Sequence, residues 1–318
     1  MSGRVRIDAH AAKVLVDGQP HEPELDPPFD VFEPSALASP LVFSSPHSGA
    51  IYPRRFLTAA KLDATALRRS EDAYVDELFA GVVAHGAPLL RARFPRAYLD
   101  LNREPYELDP RMFDGRLPVF ANTRSVRVAG GLGTIARIVG ESQEIYGERL
   151  KVDEALARIE KLYKPYHHSL RSLLDRAHQR FGLAVLIDCH SMPSVSSVPS
   201  PDQTSGQKMK ADFILGDRYG TSCETVFVDT VEYELRRLGY HVTRNRPYAG
   251  GFITEHYGDT ANQFHALQIE VNRGIYMDER TMEKALRFAQ IAEDLCHVAD
   301  QLAGLIATRR DDERAAAE

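Results

Sequence analysis

The residues Leu183-Ala184-Val185-Leu186-Ile187 form an unbroken apolar run that closes on Asp188-Cys189-His190-Ser191. Such a run is too short to argue a helix and reads as a strand buried on both faces, the mark of a parallel sheet. An acid and an imidazole at its carboxyl end stand where open α/β folds hold their ligands. A second run, Leu41-Val42-Phe43-Ser44-Ser45-Pro46-His47-Ser48-Gly49, ends in the same way. Two histidines at two strand ends imply one metal site assembled from distant parts of the chain.

Around these two strands the pattern alternates. Strands are expected at 41–45, 88–93, 97–101, 183–189, 212–215, 241–244 and 266–271, and helices at 71–85, 152–180, 223–238 and 279–306. In the third helix Phe227, Val231, Leu235 and Leu238 recur at helical spacing, so one face packs on a sheet. The fold class that follows is α/β, a three-layer α/β/α sandwich with a mixed, mainly parallel sheet. No linker or internal repeat divides it. Residues 1–35, rich in Pro and acids, read as an extended lead-in, 36–307 as a single domain, and 308–318 as a charged tail expected to fray. The irregular segments are 102–140 and 191–206. The second follows directly on His190 and reads either as a mobile lid or as a plain surface loop.

Composition excludes some functions. With 39 Lys+Arg against 45 Asp+Glu, the net charge of -6 gives no reason to expect nucleic acid as a partner. No stretch reaches the length of a membrane span, and no signal peptide is visible. Three cysteines without a spaced framework point to a reducing, cytoplasmic compartment. The glycines of Gly130-Gly131-Leu132-Gly133 lack the lysine of a phosphate loop and the spacing of a dinucleotide fingerprint, so no nucleotide site is expected.

Several polar residues stand where chemistry needs them. On a strand Asp188 and His190 share a face, so either can be a metal ligand, with Asp188 the natural outer partner of the imidazole. Acids come from Ser70-Glu71-Asp72-Ala73-Tyr74-Val75-Asp76, read as a helix start capped by Ser70. Dipole stabilisation alone would explain Glu71 and Asp72 there. A zinc ion takes imidazole nitrogen and carboxylate oxygen together, and His47, one acid of this segment and His190 fill three positions. Asp100-Leu101-Asn102-Arg103 and Glu270-Val271-Asn272-Arg273 each end a strand and offer planar donors for a carboxylate. Glu270 lies in an otherwise apolar run, which suits a general base or an ion pair in the core. Gly250-Gly251-Phe252-Ile253-Thr254-Glu255-His256 suggests a tight turn, with Thr254 and His256 as pocket residues. The paired His167 and His168 read as helix-packing or surface residues.

The ordered set Pro46-His47-Ser48-Gly49, Asp72-x-x-Val75-Asp76, Asp100-Leu101-Asn102-Arg103, Asp188-Cys189-His190-Ser191, Gly250-Gly251-x-Ile253-Thr254 and Gln268-x-Glu270 resembles the N-formylglutamate amidohydrolase family. The resemblance implies a zinc-carboxypeptidase-like, phosphorylase/hydrolase-like fold. It also implies hydrolysis of a small N-acyl amino acid, N-formyl-L-glutamate to formate and L-glutamate, with a place in histidine degradation. Carried over residue by residue, it implies one divalent ion, zinc, held by His47, Asp72 and His190. Glu270 would be the base, Asn102, Arg103, Thr254, His256 and Arg273 the substrate contacts, and Asp188 and Asp76 the outer supports. The wider fold uses His-x-x-Glu, but Ala50 stands three after His47, so the acidic ligand is Asp72 or Glu71. Ala73 replaces a common aromatic and Met192 an expected Ile, changes that bear on the acyl pocket. A peptidase or deacylase of larger N-acyl substrates, or a ligand-binding protein without catalysis, are the other readings.

Overall fold

A strand buried along its whole length needs a neighbour on each edge and cover on each face. In the computed structural model, which describes residues 4–6, 25–140, 142–194 and 211–317, the apolar run has both. The main sheet comprises, in chain order, β1 (Arg4–Arg6), β2 (Phe29–Glu33), β3 (Leu41–Ser45), β4 (Leu89–Ala92), β5 (Ala184–Met192), β6 (Phe213–Gly216), β7 (Val242–Arg244) and β8 (Phe264–Asn272). Their spatial order is β1-β2-β4-β3-β5-β8-β6-β7. Pairings β2/β4 and β6/β8 are antiparallel. The others are parallel, so the sheet is mixed and mainly parallel. Strand β5, buried at every position, lies between β3 and β8.

Alternation sorts the core into two layers. Val42, Ala184, Leu186 and Ala266 face one apolar cluster with Tyr166, Leu170 and Leu173 of the helix Lys164–Phe181 and with Ile253 of the helix Phe252–Tyr257. Leu41, Phe43, Val185, Ile187, Leu267 and Ile269 face the other, with Phe227, Val231 and Leu235 of the helix Thr225–Arg237 and Ile291, Leu295 and Leu302 of the helix Phe288–Ala317. The three-layer expectation holds. Ser44, Asp188, His190, Gln268 and Glu270 continue the even-numbered face, where apolar cover gives way to polar groups at the carboxyl end of the sheet. Among the described residues no helix is long and apolar enough to cross a membrane.

Several expected elements differ. Residues 97–101 form turns rather than a strand, because Pro95 opens them and its carbonyl accepts from the amides of Tyr98 and Leu99. Their apolar side chains are buried all the same. The helix expected from Glu71 begins only at Val75, after Tyr74 takes a left-handed φ of 64°, and ends at Leu78. Glu71 and Asp72 therefore lie in the turn before it. The final helix starts at Phe288 because Met277–Asp278 and Glu283–Lys284 pair as a small antiparallel ribbon. It then runs to Ala317, through the stretch expected to fray. Within the expected lead-in, Phe29–Glu33 pairs with β4 immediately after two prolines.

One helix residue fixes the turn that follows β4. His167 places Nε2 3.0 Å from the Leu101 carbonyl oxygen and Nδ1 2.9 Å from the Tyr257 hydroxyl. Leu101 lies between Asp100 and Asn102, so this contact ties both to the helix layer. Burial pushes the His167 pKa down to about 3. The unfolded imidazole titrates near ~6.5, so in that window the unfolded chain takes up a proton the native chain refuses. The folded pKa is the depressed one, and stability falls as pH drops from about 6.5 toward about 3. Melting curves at pH 7 and pH 5 are expected to show a larger loss for the wild type than for His167→Gln.

Candidate metal centre

The parallel register places Asp188 beside Gln268 and His190 beside Glu270, with Ser44 on the other flank of Asp188. Because side chains alternate, His190 and Glu270 project from the same face as neighbours. His47 reaches this face from the loop after β3. A Cβ on Gly49 would fall 2.3 Å from the Phe94 carbonyl oxygen, so only glycine lets this loop lie against the chain leaving β4. Asp72 joins through its amide, which donates to the His47 carbonyl at 3.0 Å.

Three buried side chains converge. Asp72 Oδ2 lies 3.0 Å from His190 Nδ1 and 3.4 Å from His47 Nδ1. One donor atom from each residue falls within 4.8 Å of the other two. Both distal nitrogens meet carboxylates: His47 Nε2 lies 2.7 Å from Asp100 Oδ1, and His190 Nε2 lies 3.0 Å from Asp188 Oδ2. With the Nε2 protons directed at those acids, each Nδ1 would present a lone pair to an ion held between them. His47 Nδ1 is buried and has no hydrogen-bond partner among the described residues. Two imidazole nitrogens and a carboxylate oxygen backed by outer acids match the requirements of one divalent metal ion.

Charge explains why protons alone are an uneasy substitute. Burial opposes protonation of His190, yet Asp188, Asp72 and Glu270 outweigh it and hold that imidazole well above its usual pKa. Burial likewise opposes ionisation of Asp72, and the neighbouring His190 and His47 imidazoles more than reverse this. Asp100 is also held well below the usual carboxylate range: burial acts against it, and Arg103 and Arg96 prevail. Glu270 goes the other way. Burial, with Asp72 and Asp188 adding repulsion against the pull of His190 and Arg96, pushes its pKa up to about 7. Its Oε1 accepts from the Gln268 amide at 2.8 Å.

The remaining residues singled out in the sequence are placed differently from expectation. Glu71 accepts from Tyr52 at 2.6 Å and from Arg68 at 3.1 Å, outside the converging group. Asp76 pairs with Arg91 at 2.7 Å rather than supporting the centre, because the helix starts too late to put it on the face of Asp72. Asn102 is not free for a ligand. Its Oδ1 accepts from the Ile253 amide at 2.7 Å, and its Nδ2 lies 3.1 Å from His190 Nε2 and 3.3 Å from Asp188. Arg103 donates to the carbonyls of Leu132 and Asn102 at 2.8 and 2.7 Å. Arg273 donates to Asp72, Ser191 and the Arg69 carbonyl. Thr254 is fully buried, its hydroxyl donating to the Gly251 carbonyl at 2.9 Å. His256 is exposed and stacks on Phe252 at 5.0 Å between ring centroids.

Arg96, Gln268 and Ser191 belong to the constellation and were not singled out as site residues. Arg96 donates to Asp100 Oδ2 at 2.8 Å, keeps a quarter of its side chain exposed (26%), and lies within electrostatic reach of Asp72 and Glu270. The i, i+4 spacing of Arg96 and Asp100 was the available signal. Of the 191–206 segment read as a lid or loop, residues from 195 onward lie outside the described residues. Ser194 is anchored by its amide, which donates to Glu279 at 3.0 Å.

The model of the N-formylglutamate amidohydrolase family matches residues 39–277. An N-formylglutamate deformylase of Pseudomonas putida is 30% identical over 243 residues, which cover 76% of this chain and 82% of the relative. One from Pseudomonas aeruginosa is 28% identical over 244 residues, 76% of this chain and 83% of the relative. The crystal structure of an N-formylglutamate amidohydrolase from Ralstonia eutropha JMP134 superposes with a TM-score of 0.82 at 38% identity, covering 88% of this chain and 99% of that one. The block matched by the family model, residues 39–277, contains His47, Asp72, His190 and Glu270. The chain belongs to the N-formylglutamate amidohydrolase family.

Proposed function

We propose that this protein hydrolyses the amide bond of a small N-acyl amino acid, N-formyl-L-glutamate giving formate and L-glutamate, with zinc as its metal. The observation that carries the reading is the convergence of His47, Asp72 and His190 on one point beside a buried carboxylate poised near neutrality. The named activity of the Pseudomonas relatives supports the substrate. His47 Nδ1, His190 Nδ1 and Asp72 Oδ2 would hold the ion. Bound there, it supplies Lewis acidity to the scissile carbonyl and to the attacking water.

The chain's own groups do the rest. Glu270, the register neighbour of His190 on the same face of the sheet, accepts the proton of the water that adds to the formyl carbon. It returns that proton to the nitrogen as the C–N bond breaks, so formate leaves and glutamate departs as an amine. Gln268 holds one oxygen of Glu270 and leaves the other for this exchange. Arg103 and Arg273 are committed to carbonyls and to Asp72, and Arg96, though paired with Asp100, keeps a partly exposed guanidinium that can meet the substrate's negative charge. Asp100 orients Arg96 and His47 at once.

Glu270→Gln is expected to lower kcat by about 10²–10⁴-fold while metal content by elemental analysis stays at the wild-type level. Survival of turnover in that variant removes Glu270 as the base. His190→Ala should lose stoichiometric metal as well as activity. Among N-formyl, N-acetyl and N-succinyl derivatives of glutamate, the formyl compound is expected to give the highest kcat/KM; a preference for a larger acyl group would reassign the enzyme to a different deacylation.

A further inference from the structure

The two oxygens of Asp72 have different partners. Oδ2 faces both imidazole Nδ1 atoms. Oδ1 accepts from Arg273 Nη2 at 3.0 Å and from Ser191 Oγ at 3.3 Å. Arg273 is itself fixed, because Nε donates to Ser191 Oγ at 3.1 Å and Nη1 to the Arg69 carbonyl at 3.0 Å. All three side chains are buried. We infer that Arg273 and Ser191 are positioning residues that hold Asp72 as a one-oxygen ligand and thereby select a small four-coordinate ion over larger ones. The inference rests on the metal-hydrolase reading above and goes beyond it.

The physical argument is one of competing partners. Turning the carboxylate to offer both oxygens inward would break a charge-assisted hydrogen bond to a buried guanidinium and leave that cation poorly paired. Zinc is satisfied by three protein ligands and one open position, so it gains little from a second carboxylate oxygen. Manganese, which prefers an octahedral oxygen-rich shell, gains more and is denied it. Arg273 also adds positive charge beside the centre, which weakens every dication alike. The ratio of two affinities, rather than either affinity alone, therefore reports the positioning.

The test uses the full chain, stripped with a chelator and titrated with zinc and with manganese against a competing indicator, in the wild type, Arg273→Met, Arg273→Lys and Ser191→Ala. The manganese-to-zinc affinity ratio is expected to rise about tenfold in Arg273→Met, in line with other outer-shell partners. Ser191→Ala should move it in the same direction, and Arg273→Lys, which keeps the charge and one donor, should fall between. Cobalt-loaded wild type is expected to show the intense visible bands of a four-coordinate ion, weakened in Arg273→Met. Wild-type ratios and spectra in both Arg273→Met and Ser191→Ala overturn the inference, and Ser191→Ala decides it if the arginine variant does not fold. A wild-type chain that takes up no stoichiometric metal would instead sink the underlying metal-hydrolase reading.

Discussion

Two imidazole nitrogens aimed at one buried carboxylate oxygen are the contact on which the rest of the site depends. Asp72 Oδ2 has His190 Nδ1 at 3.0 Å and His47 Nδ1 at 3.4 Å, and none of the three side chains has more than marginal access to water. A charge so placed is costly unless it is paired and hydrogen-bonded. The surroundings meet that demand in layers. Asp100 and Asp188 hold the distal nitrogens, Arg96 and Arg103 face Asp100, and Arg273 faces Asp72. A dication at the centre would satisfy the inward-facing donors together, whereas a shared proton satisfies only one pair at a time.

The sheet turns that demand into geometry. Alternation sends Leu186 into the apolar layer beneath the helix Lys164–Phe181 and Asp188 and His190 onto the same face further along. The register with β8 then puts Gln268 and Glu270 alongside them, so the proposed base also comes from the sheet. Two elements outside regular structure complete the arrangement, the loop carrying His47 and the turn carrying Asp72. The Asp72 amide donates to the His47 carbonyl and ties the two together, and the contact of His167 with the Leu101 carbonyl fixes the neighbouring turn that carries Asp100. Precision on a rigid sheet edge with adaptable loops around it is the usual division of labour in such folds.

How much of this was legible in the chain depended on the kind of signal. β3, β5 and β8 could be read because apolar runs end abruptly in polar residues, and the same ends carry His47, His190 and Glu270. Asp72 could be read as an acid but not separated from Glu71, since only the turn before Val75 decides which carboxylate looks inward. The apolar stretch after Pro95 misled, because burial of a loop leaves the same composition as burial of a strand. β2 was hidden behind Pro27-Pro28, which read as punctuation. Least legible were the arginines. A guanidinium suits any acceptor, and nothing in the Asn-Arg pairs shows that Arg103 meets carbonyls and Arg273 meets Asp72.

The proposed chemistry asks two neighbouring carboxylates to behave oppositely, and their hydrogen-bond partners account for the difference. Asp72 has the His190 and His47 imidazoles beside it, which overcome burial and keep it ionised, and its other oxygen accepts from a guanidinium and a hydroxyl. Glu270 is also buried but among the described residues receives only the neutral amide of Gln268, and the nearby negative charge of Asp72 repels its own. Desolvation then dominates and carries it to about 7. Gln268 is held in turn, because its Oε1 accepts from the Gly251 amide at 3.0 Å. A charged residue in place of that glutamine would change the base's affinity for protons as well as its position. Separating an anchoring carboxylate from a proton-transferring one thus follows from which donors reach each, with no difference in burial required.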